Sequence, residues 1–220
     1  HPKPLTAYPL LEVLSHALRG TITASAGRRL YVADYSSIEA RVVMWLAGER
    51  HALDLFRTGA DIYLDMANDI YGRVCTKADT AERAMGKIAI LGLGYQMGWS
   101  KFQAQCALAK VEIDDEFAQQ VVNAYRTKYA KIKQLWWDTE AAAINAVLRG
   151  PTADTRRNVS SPAAHNRVQW TLDGRFLRCT LPSGRSLAYP APQIRKRPTP
   201  WGEEKNALTH TGVHPLTRKW

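Results

Sequence analysis

The texture of this chain changes at Gly150. Before it, apolar residues recur at helical spacing through most of the sequence. After it come proline, glycine, arginine and short β-prone runs. A chain patterned this way builds a helical body and a separate set of short strands, so the expected class is α+β, helix-rich.

Several elements can be placed from pattern alone. Residues 6–19 predict an amphipathic helix with Leu10, Val13, Leu14 and Leu18 on one face. Leu30-Tyr31-Val32-Ala33-Asp34 follows a glycine and ends on an acid, which predicts a short buried strand. Ser36 to Gly48 and Ile62 to Tyr71 read as helices closed by Gly48 and Gly72. Asp79-Thr80-Ala81-Glu82 has the cap and third-position chemistry of a helix start. The helix it opens runs to about Tyr95 and contains Gly86, Gly92 and Gly94. Each interior glycine costs a helix about 1 kcal/mol relative to alanine, so the helix is held by tertiary contacts or is meant to bend. Two more helices are expected over residues 116–133 and 135–148. Asp115-Glu116 at their start reads as helix capping. Residues 175–181 and 185–189 flank Pro182-Ser183-Gly184 and predict a hairpin.

Composition excludes some classes. No apolar run approaches the roughly 20 residues of a membrane span. His1-Pro2-Lys3-Pro4 is no signal peptide. Cys75, Cys106 and Cys179 are few, odd in number and far apart, which predicts reduced thiols and a cytoplasmic setting. The six histidines show no metal spacing with them. The chain opens on His1 and closes on Thr217-Arg218-Lys219-Trp220, and an internal piece of a longer, monomeric protein is expected.

The net charge of +10 is unevenly placed. Residues 1–148 hold 17 Lys and Arg against 16 Asp and Glu; residues 149–220 hold 13 against 4. A segment this basic suits a polyanion such as nucleic acid, because phosphate contacts release counterions. A solvated basic face is the plainer account of the same charge.

Two groups of residues bear on chemistry. Asp34 lies at the carboxyl end of the expected strand, where a cleft can receive its carboxylate, and Ser36-Ser37-Ile38-Glu39 follows at once. The same residues also fit a solvated acid ahead of a helix capped by Ser36 and Glu39. Further on, Arg83 and Lys87 are four apart and share a helix face, with position 91 and Tyr95 continuing that row. Cations at one end and an aromatic at the other suit the phosphates and base of a nucleotide; an ordinary amphipathic helix with two solvated cations has the same pattern.

The literal strings carry more. Asp34-Tyr35-Ser36-Ser37-Ile38-Glu39-Ala40-Arg41 resembles motif A of family A DNA polymerases, the group of bacterial polymerase I and many phage replicases. The family pattern is Asp-Tyr-Ser-Gln-Ile-Glu-x-Arg, and Ser37 replaces its glutamine. Arg83-x3-Lys87-x7-Tyr95 is similar to motif B, and Gly86 to Tyr95 looks like its phage branch. Leu181-Pro182-Ser183-Gly184-Arg185 and Tyr189-Pro190 resemble that branch too.

The resemblance implies a DNA-directed DNA polymerase that adds dNTPs to a primer 3′-hydroxyl on primer–template DNA with two Mg²⁺ ions. It implies a palm portion over residues 1–50, a helical fingers portion over 51–150, and a basic hairpin and irregular portion over 151–220. Asp34 would be a catalytic metal ligand, with the Tyr35 carbonyl contacting one ion. Glu39 would be the steric gate against ribonucleotides. Arg83 and Lys87 would hold the dNTP phosphates, Lys87 serving also as general acid, while Leu91 and Tyr95 lie by the sugar and base. Arg41, Arg185 and the basic segment 149–220 would contact DNA.

Departures from the bacterial pattern are Ser37, Tyr63 in place of a histidine, Leu91 in place of an aromatic, and Gln96 in place of a glycine. The second acidic cluster of the family, His-Asp-Glu, is not found in these 220 residues. The alternative expectation is a non-catalytic DNA-binding remnant of a prophage polymerase.

Overall fold

The computed structural model describes residues 9–150, 168–199 and 202–212, and the chain divides into two units, His1–Ser36 and Ser37–Trp220. In the first unit Leu10–Leu18 forms helix α1, and a 3₁₀ turn over Arg19–Thr21 follows. Leu10, Leu14 and Leu18 share its apolar face, and all three are exposed.

The strand expected over Leu30–Asp34 is not formed. The run has no assigned secondary structure, no described strand pairs with it, and Val32 is 97% exposed. Its β-branched and aromatic side chains favour a pleated surface, but a strand also needs a neighbour to take its backbone N–H and C=O groups. No described residue supplies that neighbour.

The second unit carries seven helices among its described residues: α2 Ile38–Ala47, α3 Arg50–Thr58, α4 Ile62–Tyr71, α5 Thr80–Leu93, α6 Trp99–Leu108, α7 Asp115–Lys128 and α8 Ala130–Arg149. Their apolar stripes close one core. Met44 of α2, Met66 and Ile70 of α4, Ile90 and Leu93 of α5, Phe102 of α6 and Tyr125 of α7 are all essentially inaccessible to solvent. Lys128 of α7 pairs with Asp65 at 3.0 Å and with Asp69, which ties α7 to α4.

The expected helix over 62–71 is found with the same bounds, and Gly72 ends it in the left-handed region at φ 63°. Asp114 caps α7 by accepting the Phe117 N–H at 2.7 Å, as the capping reading of this acidic run implies. The break between the last two helices falls at Tyr129, not near residue 134. Tyr129 leaves the helical region (φ −110°, ψ 55°), and its buried ring stacks edge-on to Tyr125 at 5.0 Å. Burial of that ring outweighs the helical pattern around it. Helices α3 and α6 were not expected.

Past Gly150, residues 151–167 lie outside the described residues. Strands β1 Gln169–Asp173, β2 Phe176–Thr180 and β3 Ser186–Pro190 form an antiparallel sheet in that order. The β2–β3 pair is the expected hairpin, in a register that sets Leu177 opposite Tyr189. Leu177 and Cys179 point into a second core with Trp170 and the small residues Ala142, Ala143 and Ala146 of α8. Alanines let the sheet approach the helix closely. Strands β4 Gln193–Pro198 and β5 Glu204–Thr209 make a separate antiparallel pair. The class is α+β and helix-rich, as expected.

Candidate functional site

In the first unit Asp34 and Tyr35 are both exposed, Tyr35 by 80%. Asp34 stands at the end of the Leu30–Asp34 run, one carboxylate without a described acidic cluster around it. Among the described residues, no three His, Cys, Asp or Glu side chains converge to hold a metal ion. Asp34 and Tyr35 therefore offer at most part of a Mg²⁺ site.

The second unit gathers the other candidates. Helix α2 begins after Ser37, whose backbone is left-handed at φ 51° and whose side chain makes no cap bond to the helix. Ser37 Oγ instead bonds Tyr63 Oη at 2.7 Å. At the second residue of α2, Glu39 accepts a hydrogen bond from the Tyr95 hydroxyl just past the end of α5. That bond, with a smaller effect of burial, holds the Tyr95 phenol above its ordinary pKa, because losing its proton beside a carboxylate is unfavourable. The two motif-bearing helices thus meet through their polar residues. Between them lies a cavity of about 360 Å³ lined by Ile38, Glu39, Val42, Leu46, Leu91 and Tyr95. It is an apolar hollow with a carboxylate and a phenol at its rim. Leu91 forms part of its wall.

Arg83 and Lys87 lie on one face of α5, as their spacing requires. Arg83 is held from two sides. Its Nε donates to Asp61 Oδ2 at 2.7 Å, and its guanidinium lies 5.3 Å from the Tyr63 ring centre. Asp61 also caps α4, accepting the Tyr63 and Leu64 N–H groups. Burial alone would raise its pKa, but Arg83 and these two N–H groups outweigh that and leave it lowered. Lys87 is exposed and has no acidic partner among the described residues. A cation left in this state is available to an anionic ligand.

Gly86 explains how α5 comes so near α4. A Cβ there would stand 2.1 Å from the Tyr63 carbonyl oxygen, so only glycine allows this approach. Gln96, where the bacterial pattern has glycine, sits in the left-handed region at φ 61°, the backbone that glycine adopts most freely. Arg41 lies over the Phe56 ring at 4.3 Å. The sequence reading missed three participants: Asp61, Gly86 and the Ser37–Tyr63 contact. An acid just before a helix signals a cap, but nothing in the spacing shows that the same acid also holds Arg83.

The Asp79 and Glu82 capping expectation is corrected. Asp79 stands at the cap position of α5 without capping it. Its carboxylate takes the Thr76 N–H and hydroxyl and pairs with Arg73 at 2.9 Å, while Glu82 also pairs with Arg73. A nearby guanidinium and a turn N–H compete better for these carboxylates than the helix end does.

On the β4–β5 pair, Arg195 and Arg197 alternate onto one face. With Gln193, Thr209 and His210 they line a shallow cleft of about 280 Å³. Arg185 is exposed at the start of β3.

Residues 4–171 match the model of the family described as DNA polymerase family A. The chain is 36% identical over 203 residues to a DNA polymerase of Bacillus phage SP02, covering 91% of this chain and 29% of that protein. It is 30% identical over 106 residues to DNA polymerase I of Chloroflexus aurantiacus, covering 46% of this chain and 11% of that protein. It is 29% identical over 136 residues to DNA polymerase I of Pseudomonas aeruginosa, covering 61% of this chain and 14% of that protein. The chain thus spans less than a third of the length of these curated relatives. On the matched residues, and with both motifs meeting at one cavity, the chain belongs to DNA polymerase family A.

Proposed function

We propose that this chain supplies the dNTP-binding part of a phage-type DNA-directed DNA polymerase. The observation that carries the reading is the hydrogen bond between Glu39 and Tyr95, which joins the motif A helix to the motif B helix beside an apolar cavity. Glu39 and Tyr95 are 56 residues apart in sequence, and the fold brings their side chains together.

In this reading the primer 3′-hydroxyl attacks the α-phosphorus of a dNTP. The bond from that phosphorus to the bridging oxygen breaks, and pyrophosphate leaves. Arg83 and Lys87 neutralise the triphosphate, and Lys87 gives a proton to the departing oxygen. Tyr95 and Leu91 lie beside the base and sugar. Glu39 occupies the space that a ribose 2′-hydroxyl would need. Asp34 and the Tyr35 carbonyl would offer ligands to Mg²⁺, which when bound supplies charge stabilisation for the attacking and leaving oxygens; the remaining ligands of a two-ion site lie outside the described residues. Primer–template DNA would lie against Arg41, Arg185 and the β4–β5 cleft.

The gate is directly testable. Glu39→Ala in the full-length protein is expected to improve use of ribonucleotides relative to deoxynucleotides by on the order of 10- to 100-fold. An unchanged ratio in an active variant would remove Glu39 from this role.

A further inference from the structure

Ser37 and Tyr63 are two of the positions at which this sequence departs from the family pattern, and they touch. Their hydroxyls are 2.7 Å apart across 26 residues of chain, in a partly buried setting. Ser37 is otherwise poorly explained. Its backbone is left-handed, a conformation that a residue with a side chain keeps only when its surroundings demand it, and its hydroxyl does not cap the helix it precedes.

Tyr63 is fixed on every side. Its N–H bonds Asp61, its carbonyl abuts Gly86, its ring lies under Arg83, and its hydroxyl meets Ser37. Arg83 in turn has its Nε on Asp61, and its two terminal nitrogens are without a protein partner among the described residues. A guanidinium anchored through one nitrogen and one face presents its remaining donors in a set direction.

We propose that Ser37 and Tyr63 form a positioning pair that sets the ring on which Arg83 rests, and so aims Arg83 at the nucleotide's triphosphate. The pair acts through Arg83 and does not itself touch the reacting atoms. Tyr63's hydroxyl is committed to Ser37, and Arg83 makes the contact to the triphosphate. This rests on the reading of Arg83 as a triphosphate ligand.

The test is single-nucleotide incorporation by the full-length protein, with Tyr63→Phe, Ser37→Ala and the double variant. Tyr63→Phe keeps the ring beneath Arg83 and removes only the hydroxyl. Each single variant is expected to raise the KM for dNTP by roughly 2- to 10-fold, the worth of one hydrogen bond, with kcat within about twofold. The double variant is expected to be no worse than the worse single one, because both remove the same bond. Preference for dNTP over dNDP is expected to weaken by a similar factor. Ser37→Gln and Tyr63→His, which put in the residues of the family pattern, are expected to be impaired singly and to recover together.

Effects that multiply in the double variant, a fall in kcat with KM unmoved, or no effect at all would overturn the proposal. If Tyr63→Phe does not fold, Ser37→Ala carries the same readings. Arg83→Ala separates the two levels. If it leaves KM unchanged, the Arg83 assignment fails and takes this proposal with it. If it raises KM strongly while Ser37→Ala and Tyr63→Phe do nothing, the positioning pair alone is refuted.

Discussion

Gly86 decides whether α4 and α5 can touch. In an open helix, replacing glycine with alanine stabilises by about 1 kcal/mol. Here the added Cβ would meet the Tyr63 carbonyl oxygen at 2.1 Å, a backbone atom that cannot swing aside. Gly86→Ala is therefore expected to destabilise the chain by about 1–3 kcal/mol in urea denaturation. A stabilised variant would mean that the helices are not so closely placed. Asp79 makes a second residue-scale prediction. Thr76 and Arg73 lower its pKa from 3.8 to about 2 in the folded chain. A depressed folded pKa means that the unfolded chain takes up the proton first as pH falls. Its stabilising effect is thus present above pH 3.8 and lost on acidification through about pH 2. Asp79→Asn is expected to flatten that part of the stability curve, read by thermal melts between pH 5 and about 2. An unchanged acid limb would rule out the Thr76 and Arg73 contacts as its source.

Among the elements, the β4–β5 hairpin carries the clearest electrostatic prediction. Arg195 and Arg197 share one face and one cleft. If that face meets DNA phosphates, replacing both with glutamine should weaken DNA binding and lower the salt slope by about one per lost phosphate contact, with little dependence on base sequence. Binding that is indifferent to both substitutions and to salt would move the DNA elsewhere. Elements also show what the sequence made legible. The helix over 62–71 and the 176–190 hairpin follow from local rules, a periodic face with a glycine stop and a tight turn between β-prone runs. The Leu30–Asp34 strand does not, since its backbone pairing depends on a partner that local pattern cannot supply. The capping at Asp79 failed because Arg73, six residues away, takes the carboxylate. Motif residues Glu39, Arg83, Lys87, Leu91 and Tyr95 were legible as strings, and the meeting of Glu39 with Leu91 and Tyr95 at one cavity was not. The Ser37–Tyr63 contact joins two positions that looked like unrelated departures. Local patterns report a residue's neighbours in sequence, and this site is made from neighbours in space.

At the scale of the molecule, a helical body brings two motif helices together around one apolar cavity, and a small sheet packs its inner face on the alanines of α8. Glu39 and Tyr95 bond to each other in the cavity's lining, and an anchored Arg83 shares a helix face with Lys87, which has no acidic partner among the described residues. That division suits a nucleotide with an apolar sugar–base end and a charged tail. No helix of the described residues is long and apolar enough to cross a membrane. The proposed role of this arrangement is DNA synthesis by the full-length protein, with Asp34 and Lys87 in the chemistry. Its most direct test is the single-turnover rate of primer extension by the full-length protein at saturating dNTP. Asp34→Ala and Lys87→Ala are each expected to lower that rate by at least about 100-fold, the usual worth of a group that stabilises charge or transfers a proton in the transition state. Rates within a few-fold of the unaltered protein for both variants would contradict the claim.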